Sequence, residues 1–118
     1  MKILITGAAG FIGFHLSKKI LNNKKNIVFG LDNLNNYYDK NLKKDRLKIL
    51  FKKKNFKFSK IDITNKKLLK QNFKKNKYDV VINLAAQAGV RYSIDHPEKY
   101  LDTNIKGFFN ILENCKNF

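Results

Sequence analysis

The sequence is short of the residues that hold disulfide bridges and metal ions. Its 118 residues include one cysteine, Cys115, and two histidines, His15 and His96. A single cysteine excludes an internal disulfide bond, and the two histidines do not have the spacing of a metal site. We therefore predict no bound metal.

Long apolar runs are also missing. The most apolar segments, residues 80–82 and 84–86, are far shorter than the roughly 20 residues that cross a bilayer. Thr6 and Gly7 interrupt the apolar run that follows Lys2, so a secretory signal is not indicated. We expect a cytoplasmic protein without a membrane partner.

Acidic residues are scarce, with 9 Asp and Glu against 25 Lys and Arg and a formal net charge of +16. This balance alone would suggest a nucleic-acid partner. Arg46 and Arg91 are the only arginines, however, so the guanidinium groups that bind phosphates and base edges in pairs are nearly absent. We interpret the charge as a solvated lysine-rich surface with weak, salt-sensitive adhesion to polyanions and no specific nucleic-acid partner.

Apolar runs alternate with segments of helical periodicity along the chain. The pattern predicts strands at 3–5, 27–31, 56–61 and 80–84, and helices at 11–22, 42–51, from an N-cap at Thr64 to about 75, and from near Pro97 onward. Leu42, Leu47 and Leu50 are expected on one helix face. Strands separated by helices predict right-handed βαβ units and a parallel sheet.

The predicted fold class is therefore α/β, the N-terminal half of a Rossmann-like parallel sheet. We expect four strands in the order 3-2-1-4 with helices on both faces. A chain of this length holds one core. We expect residues 1–118 to form a partial dinucleotide-binding domain, with the substrate domain absent.

Three glycines at a spacing of three, Gly7, Gly10 and Gly13, lie between the first strand and the first helix. The first permits a tight turn, the second lets a phosphate approach the backbone, and the third brings the helix close to the sheet. The helix N-terminus then offers free N–H groups to a pyrophosphate. A plain tight turn is the alternative, and the strand-turn-helix context favours phosphate binding.

Asp32 ends the second predicted strand, 19 residues after Gly13. A carboxylate there can accept hydrogen bonds from the ribose diol of adenosine, and it repels a 2′-phosphate. The position therefore favours NAD over NADP. A strand-end turn formed with Asn33 is the alternative that we consider less well supported.

Two further strand ends suggest cofactor contacts, with alternatives open. Asp62 and Ile63 could bond adenine, or Asp62 could simply precede the helix cap at Thr64. Leu84, Ala85 and Ala86 end the fourth strand with small residues that leave room for a flat cofactor, or they pack in the core.

Two polar residues follow in the last third of the chain. Asn104 could tie its helix to a strand or face solvent. Arg91 could pair with an anionic substrate group, although a surface arginine is the commoner case.

Together these segments resemble the extended short-chain dehydrogenase/reductase family of nucleotide-sugar epimerases and dehydratases. The resemblance rests on residues 5–16, 31–33, 62–63, 81–86 and 104–107. Residues 32–39 and 85–93 resemble the UDP-glucuronate 4-epimerase branch, whose members use tightly held NAD to oxidise and re-reduce the sugar at C4. The resemblance implies NAD contacts from Gly7, Gly10, Phe11, Ile12, Gly13, Asp32, Asn33, Asp62, Ile63, Leu84, Ala85 and Ala86. It assigns the substrate carboxylate to Arg91.

The family's proton-transfer residues are missing. None of the five tyrosines has a lysine four residues later, so the Tyr-x-x-x-Lys arrangement is absent and we predict no catalytic residue. We expect an NAD-binding portion of an epimerase that is inactive alone. A nucleotide sugar would bind only with the missing C-terminal part, and self-association or a companion chain would stabilise the fold. A stand-alone NAD-binding module and a basic nucleic-acid-associated protein are the alternatives.

Overall fold

The computed structural model describes residues 1–118, and a four-stranded parallel sheet forms its centre. The strands are β1 (Lys2–Thr6), β2 (Ile27–Asp32), β3 (Phe56–Lys60) and β4 (Val80–Asn83), in the order β3-β2-β1-β4. The helices are α1 (Phe11–Ile20), α2 (Lys40–Phe51), α3 (Lys66–Asn76), α4 (Val90–Asp95), α5 (Pro97–Tyr100) and α6 (Phe108–Asn117), with a π-helical segment at Leu101–Gly107 between α5 and α6. The predicted fold class and strand order are confirmed.

Helices cover both faces of the sheet because successive strand residues point to opposite sides. Ile3 and Ile5 lie in one core with Phe14 of α1, and Leu4 lies in the other with Leu69 of α3. The three β1 residues are at most 4% exposed. β1 thus lies between two helical layers, which explains its uninterrupted apolar sequence.

One predicted helix face is wrong. Leu47 and Leu50 of α2 are buried as expected, but Leu42 is 45% exposed and Lys43 is buried instead. The reason is helical geometry, since residues 43, 47 and 50 are spaced by four and three and share a face, whereas residue 42 does not. The helix also begins earlier than predicted, at Lys40, with the Asp39 carboxylate accepting a hydrogen bond from the Asn41 N–H at 2.8 Å.

The last third of the chain contains two features that the pattern missed. Residues 90–95 form the short helix α4, which was not among the predicted helices. The helix that begins at Pro97 widens to a π-helix over Leu101–Gly107 before it continues as α6. No helix in this structure has the length and apolar character needed to span a membrane.

The β4 strand has one free edge, because it pairs only with β1. Val80 on this strand is 39% exposed. Leu101, Ile105 and Leu112, which follow on the adjoining helical segments, are each more than half exposed. The free β4 edge therefore leaves backbone groups unpaired, and the helical segments that follow leave apolar side chains exposed.

Candidate functional site

A cleft of about 460 Å³ opens where the carboxyl ends of the parallel strands meet. Ligands of open α/β sheets bind at this edge. The sequence-predicted residues that line the cleft are Gly7, Gly10, Phe11, Ile12, Gly13, Asp32, Asn33, Asp62, Ile63, Leu84, Ala85 and Ala86. The structure thus brings the twelve residues of the predicted cofactor site to one place.

The glycine turn is shaped as a cradle. Gly7 has φ +68°, and a Cβ there would lie 2.9 Å from the Leu84 carbonyl carbon. A Cβ on Gly13 would lie 2.2 Å from the Gly7 carbonyl oxygen, so α1 can approach β1 only with glycine at this position. A Cβ on Gly10 would meet little besides the Gly7 oxygen, at 3.1 Å, and would occupy the cleft itself.

The first turn of α1 is a ready anion site. Gly10 precedes the helix in an extended conformation and no side chain caps it, so the first N–H groups of α1 lack a side-chain acceptor. Phe11 and Ile12, in this turn, are 66% and 65% exposed. A glycine turn that a Cβ on Gly10 would obstruct, beside uncapped amides, fits a dinucleotide pyrophosphate.

Asp32 reaches the cleft at the end of β2 as a buried carboxylate, 5% exposed. Its Oδ2 accepts a hydrogen bond from the Ala9 N–H at 3.1 Å, and its Oδ1 accepts one from the Leu34 N–H at 2.8 Å. The Lys43 Nζ lies 3.5 Å from the same Oδ1. These donors fix the carboxylate directly beside the glycine turn.

Asp62 organises the turn after β3 and also lines the cleft. The sequence had left open whether it contacts a cofactor or only precedes the next helix. Its Oδ2 accepts from the Asn33 amide at 2.8 Å, and its Oδ1 accepts from the Thr64 N–H and hydroxyl at 2.9 and 2.7 Å. Burial raises the pKa of Asp62, but the hydrogen bonds from Asn33 and Thr64 outweigh it and leave this pKa below its usual value.

The predicted N-cap at Thr64 is wrong. Asn65 caps α3, because its side-chain oxygen accepts a hydrogen bond from the Leu68 N–H at 3.1 Å. The Thr64 hydroxyl is already committed to Asp62. Thr and Asn are both common caps, and the carboxylate two residues earlier decides which of them is free.

A buried threonine that the sequence reasoning missed holds the end of β4. The Thr6 hydroxyl accepts hydrogen bonds from the N–H groups of Leu84 and Ala85, both at 3.0 Å, and donates to the Asn83 side-chain oxygen at 2.6 Å. Thr6 is fully buried. It therefore fixes the small-residue wall of the cleft to the central strand.

Asn104 ties its helix to the loop after β4, and not to a strand as one of its two predicted roles required. Its side-chain oxygen accepts from the Gln87 N–H at 2.8 Å, and its amide donates to the Gln87 carbonyl at 3.0 Å. The residue lies within the π-helical segment. Arg91 is exposed on α4 and is not among the residues lining the cleft.

A group of polar and aromatic residues on the Asp32 side of the cleft was not predicted. Asn35, Tyr37, Tyr38 and Lys43 line the cleft, and on the opposite wall Gln87 and Thr103 do so. Tyr37 packs against Tyr92 with ring centroids 5.0 Å apart, which connects the loop after β2 to α4. The packing of this loop against α4 depends on tertiary contacts that carry no local sequence signal.

No group of three or more His, Cys, Asp or Glu residues is placed to hold a metal ion in this structure. Cys115 is exposed and free.

Known proteins match this chain over nearly its whole length. The family model described as GDP-mannose 4,6 dehydratase matches residues 4–118. Protein CapI of Staphylococcus aureus is 52% identical over 118 residues, which are all of this chain and 35% of that protein. The UDP-glucuronate 4-epimerase of Thermodesulfobacterium geofontis is 50% identical over 115 residues, or 98% of this chain and 35% of the enzyme.

Solved structures agree with the sequence relatives. UDP-glucuronic acid 4-epimerase from Bacillus cereus, in complex with UDP-glucuronic acid and NAD, superposes with a TM-score of 0.91 at 38% identity. The match covers all of this chain and 37% of that enzyme. The Thermus thermophilus UDP-glucose 4-epimerase complex with NAD gives a TM-score of 0.80 at 31% identity, over 99% of this chain and 34% of that one. The chain thus spans about a third of the length of the relatives it matches.

Proposed function

Because this chain belongs to the GDP-mannose 4,6 dehydratase family, we propose that it binds NAD in the cleft as the cofactor-binding portion of a UDP-glucuronate 4-epimerase. The glycine cradle beside the uncapped first turn of α1, with Asp32 at its side, is the observation that carries the proposal. NAD, when bound, supplies the acceptor and donor of a hydride. The UDP-glucuronate 4-epimerase relative at 50% identity supports the epimerase assignment.

The proposed roles follow the position of each residue along the cleft. Gly7, Gly10 and the amides of Phe11, Ile12 and Gly13 hold the pyrophosphate, and Asp32 with Asn33 holds the adenosine ribose. Asp62 and Ile63 flank the adenine, while Leu84, Ala85 and Ala86 form the wall next to the nicotinamide ribose. Arg91 of α4, which does not line the cleft in this structure, is the candidate for the sugar carboxylate.

The chain provides the cofactor site but no general base for the sugar hydroxyl. None of its tyrosines has the lysine four residues later that lowers a tyrosine pKa in this family. Epimerase activity therefore depends on polypeptide that supplies the base. A companion chain that covers the open edge of β4 and the exposed Leu101, Ile105 and Leu112 meets this need, whereas a second copy of this chain would cover the edge without supplying the base. A cytoplasmic location belongs to the same proposal.

Calorimetric titration of the purified chain with NAD⁺ tests the cofactor assignment. We expect saturable binding that the substitution Asp32→Asn weakens, because the neutral amide accepts less strongly from the ribose diol. Asp45→Asn is the matched control, since Asp45 is an exposed carboxylate on α2. An absence of heat at millimolar NAD⁺ with folded protein would refute the proposal.

DNA titration at two salt concentrations separates the alternative functions. A nucleic-acid-associated protein would bind DNA tightly with a steep salt dependence and would not respond to NAD⁺. A stand-alone NAD-binding module would bind NAD⁺ and remain monomeric and inactive after co-expression with the C-terminal two thirds of the Staphylococcus aureus relative. Recovery of epimerase activity in that co-expression would support the proposed role.

A further inference from the structure

Lys43 is the one buried lysine in a chain with a strongly basic surface. It is 5% exposed and lies on the inner face of α2, where it lines the cleft. Burial of an ammonium group is unfavourable unless anions or acceptors surround it. The position therefore needs a physical reason beyond the general abundance of lysine.

The surroundings of Lys43 compensate only part of this cost. Its Nζ donates to the Asn35 side-chain oxygen at 3.2 Å and lies 4.8 Å from the centre of the Tyr38 ring. Asp32 is its only ion-pair partner, and the separation of 3.5 Å from Oδ1 is longer than a good hydrogen bond. An ammonium group has three N–H donors, so donor capacity remains on the side of the cleft.

The Asp32 carboxylate has hydrogen-bond donors other than Lys43. It already accepts from two backbone N–H groups, those of Ala9 and Leu34. These bonds would hold the carboxylate in position without a lysine. The ammonium group therefore adds charge and a donor at the place where a ribose is expected.

We propose that Lys43 is a specificity-determining residue that works with Asp32 at the adenosine ribose. This inference rests on the proposed NAD site. Asp32 accepts from the ribose diol, and the Lys43 ammonium group donates to a ribose hydroxyl oxygen. The same ammonium group is placed to pair with a 2′-phosphate, which the Asp32 charge keeps out. Discrimination against NADPH, the 2′-phosphorylated dinucleotide, then depends on the Asp32 carboxylate alone. The Lys43 cation that would pair with its phosphate is already next to that carboxylate.

Arg46 does not line the cleft but adds a second cation next to Tyr38, which does. Its guanidinium group donates to the Ala9 carbonyl oxygen at 3.2 Å and to the Tyr38 hydroxyl at 3.3 Å. Lys43 and Arg46 are three residues apart and so lie on neighbouring positions of one helix surface. Loss of the Asp32 charge would leave this corner of the cleft with two cations and no anion among its named contacts.

Fluorescence titration with NADH and NADPH tests the inference in four variants of the 118-residue chain. Asp32→Asn is expected to shift the ratio of affinities toward NADPH by about tenfold to a hundredfold, the worth of a charge-assisted hydrogen bond. Adding Lys43→Met to Asp32→Asn is expected to remove that gain. Lys43→Met alone should weaken NADH binding, and Lys44→Met is the control because Lys44 is exposed on the same helix.

The outcomes separate this inference from the proposed function. Wild-type protein that binds neither dinucleotide refutes both. If wild-type protein binds NADH, the role of Lys43 is tested by the ratio of NADPH affinity to NADH affinity in Asp32→Asn. The same ratio with lysine and with methionine at position 43 would refute the role of Lys43 and leave the proposed function standing. A purely structural lysine would weaken both dinucleotides equally and leave the ratio unchanged. Lys43→Arg in the Asp32→Asn background keeps the cation, so it should retain the NADPH preference and covers the case in which methionine prevents folding.

Discussion

Gly10 and Gly13, at the start of α1, provide a sharp test of the glycine turn. The same added methyl group should lower the stability of the fold at Gly13 and the affinity for NADH at Gly10. At Gly13, a Cβ would lie 2.2 Å from the Gly7 oxygen and 2.8 Å from its carbonyl carbon. Ordinary contacts begin near 3.4 Å, and both clashing atoms belong to rigid backbone. Overpacking of this kind costs about 3 kcal/mol or more. We therefore expect Gly13→Ala to lower the free energy of unfolding by at least this amount.

At Gly10 the conditions are different. Its φ of −71° suits alanine, and the nearest atom to an added Cβ lies at 3.1 Å, with the next at 3.9 Å. The fold should tolerate Gly10→Ala with a loss of about 1 kcal/mol or less. The methyl group would, however, occupy the space in which a pyrophosphate must approach the backbone, so NADH affinity should fall about tenfold or more.

Urea unfolding and NADH titration of both variants check this contrast. Total domain stabilities are about 5–15 kcal/mol, so a loss of 3 kcal/mol is readily measured. The reasoning would be refuted by a Gly13→Ala variant as stable as wild type. It would equally be refuted by a Gly10→Ala variant that binds NADH with unchanged affinity.

Three further substitutions test separate contacts. Burial raises the pKa of Tyr78 to about 12, so between pH 10 and about 12 the folded state keeps a proton that the unfolded state loses. The free energy of unfolding therefore falls as pH rises through this range, and Tyr78→Phe should remove that decline in urea titrations. Asn110→Ala removes a buried hydrogen bond of 2.9 Å to the Ile63 carbonyl and should cost about 1–3 kcal/mol of unfolding free energy. Thr6→Val leaves two backbone amides of the loop after β4 without their acceptor, and we expect a loss of about 2 kcal/mol.

Each of these substitutions has a distinguishing control. An alkaline stability profile that is identical in wild type and Tyr78→Phe would contradict the burial argument. Asn117→Ala, which removes a hydrogen bond on the exposed end of α6, should stay within about 0.5 kcal/mol of wild type, and a cost equal to that of Asn110→Ala would contradict the second prediction. Thr6→Ser keeps the hydroxyl, so it should be more stable than Thr6→Val.

The sequence predicted those parts of the cleft that depend on local chemistry. Gly7 and Gly13 are required by the backbone of one short turn, and Asp32 follows from its place at the end of a strand. Lys43 and Tyr37 could not be found in this way. Lys43 shares the helix face of Leu47 and Leu50, but a lysine is not expected at a buried position. The position of a tyrosine in the loop after β2 is set by contacts with a segment more than 50 residues later.

The order of the strands has a consequence for how the chain matures during translation. β1 leaves the ribosome first, yet its partner on one side is β4, with Ile3 aligned to Val80, 77 residues later. At about 5–20 residues per second, synthesis of the intervening polypeptide takes roughly 4–15 seconds. During that interval the apolar residues of β1 can pair on only one side. The strand that ends up most deeply enclosed is thus the one that waits longest for its neighbour, so its apolar side chains are exposed to aggregation during synthesis.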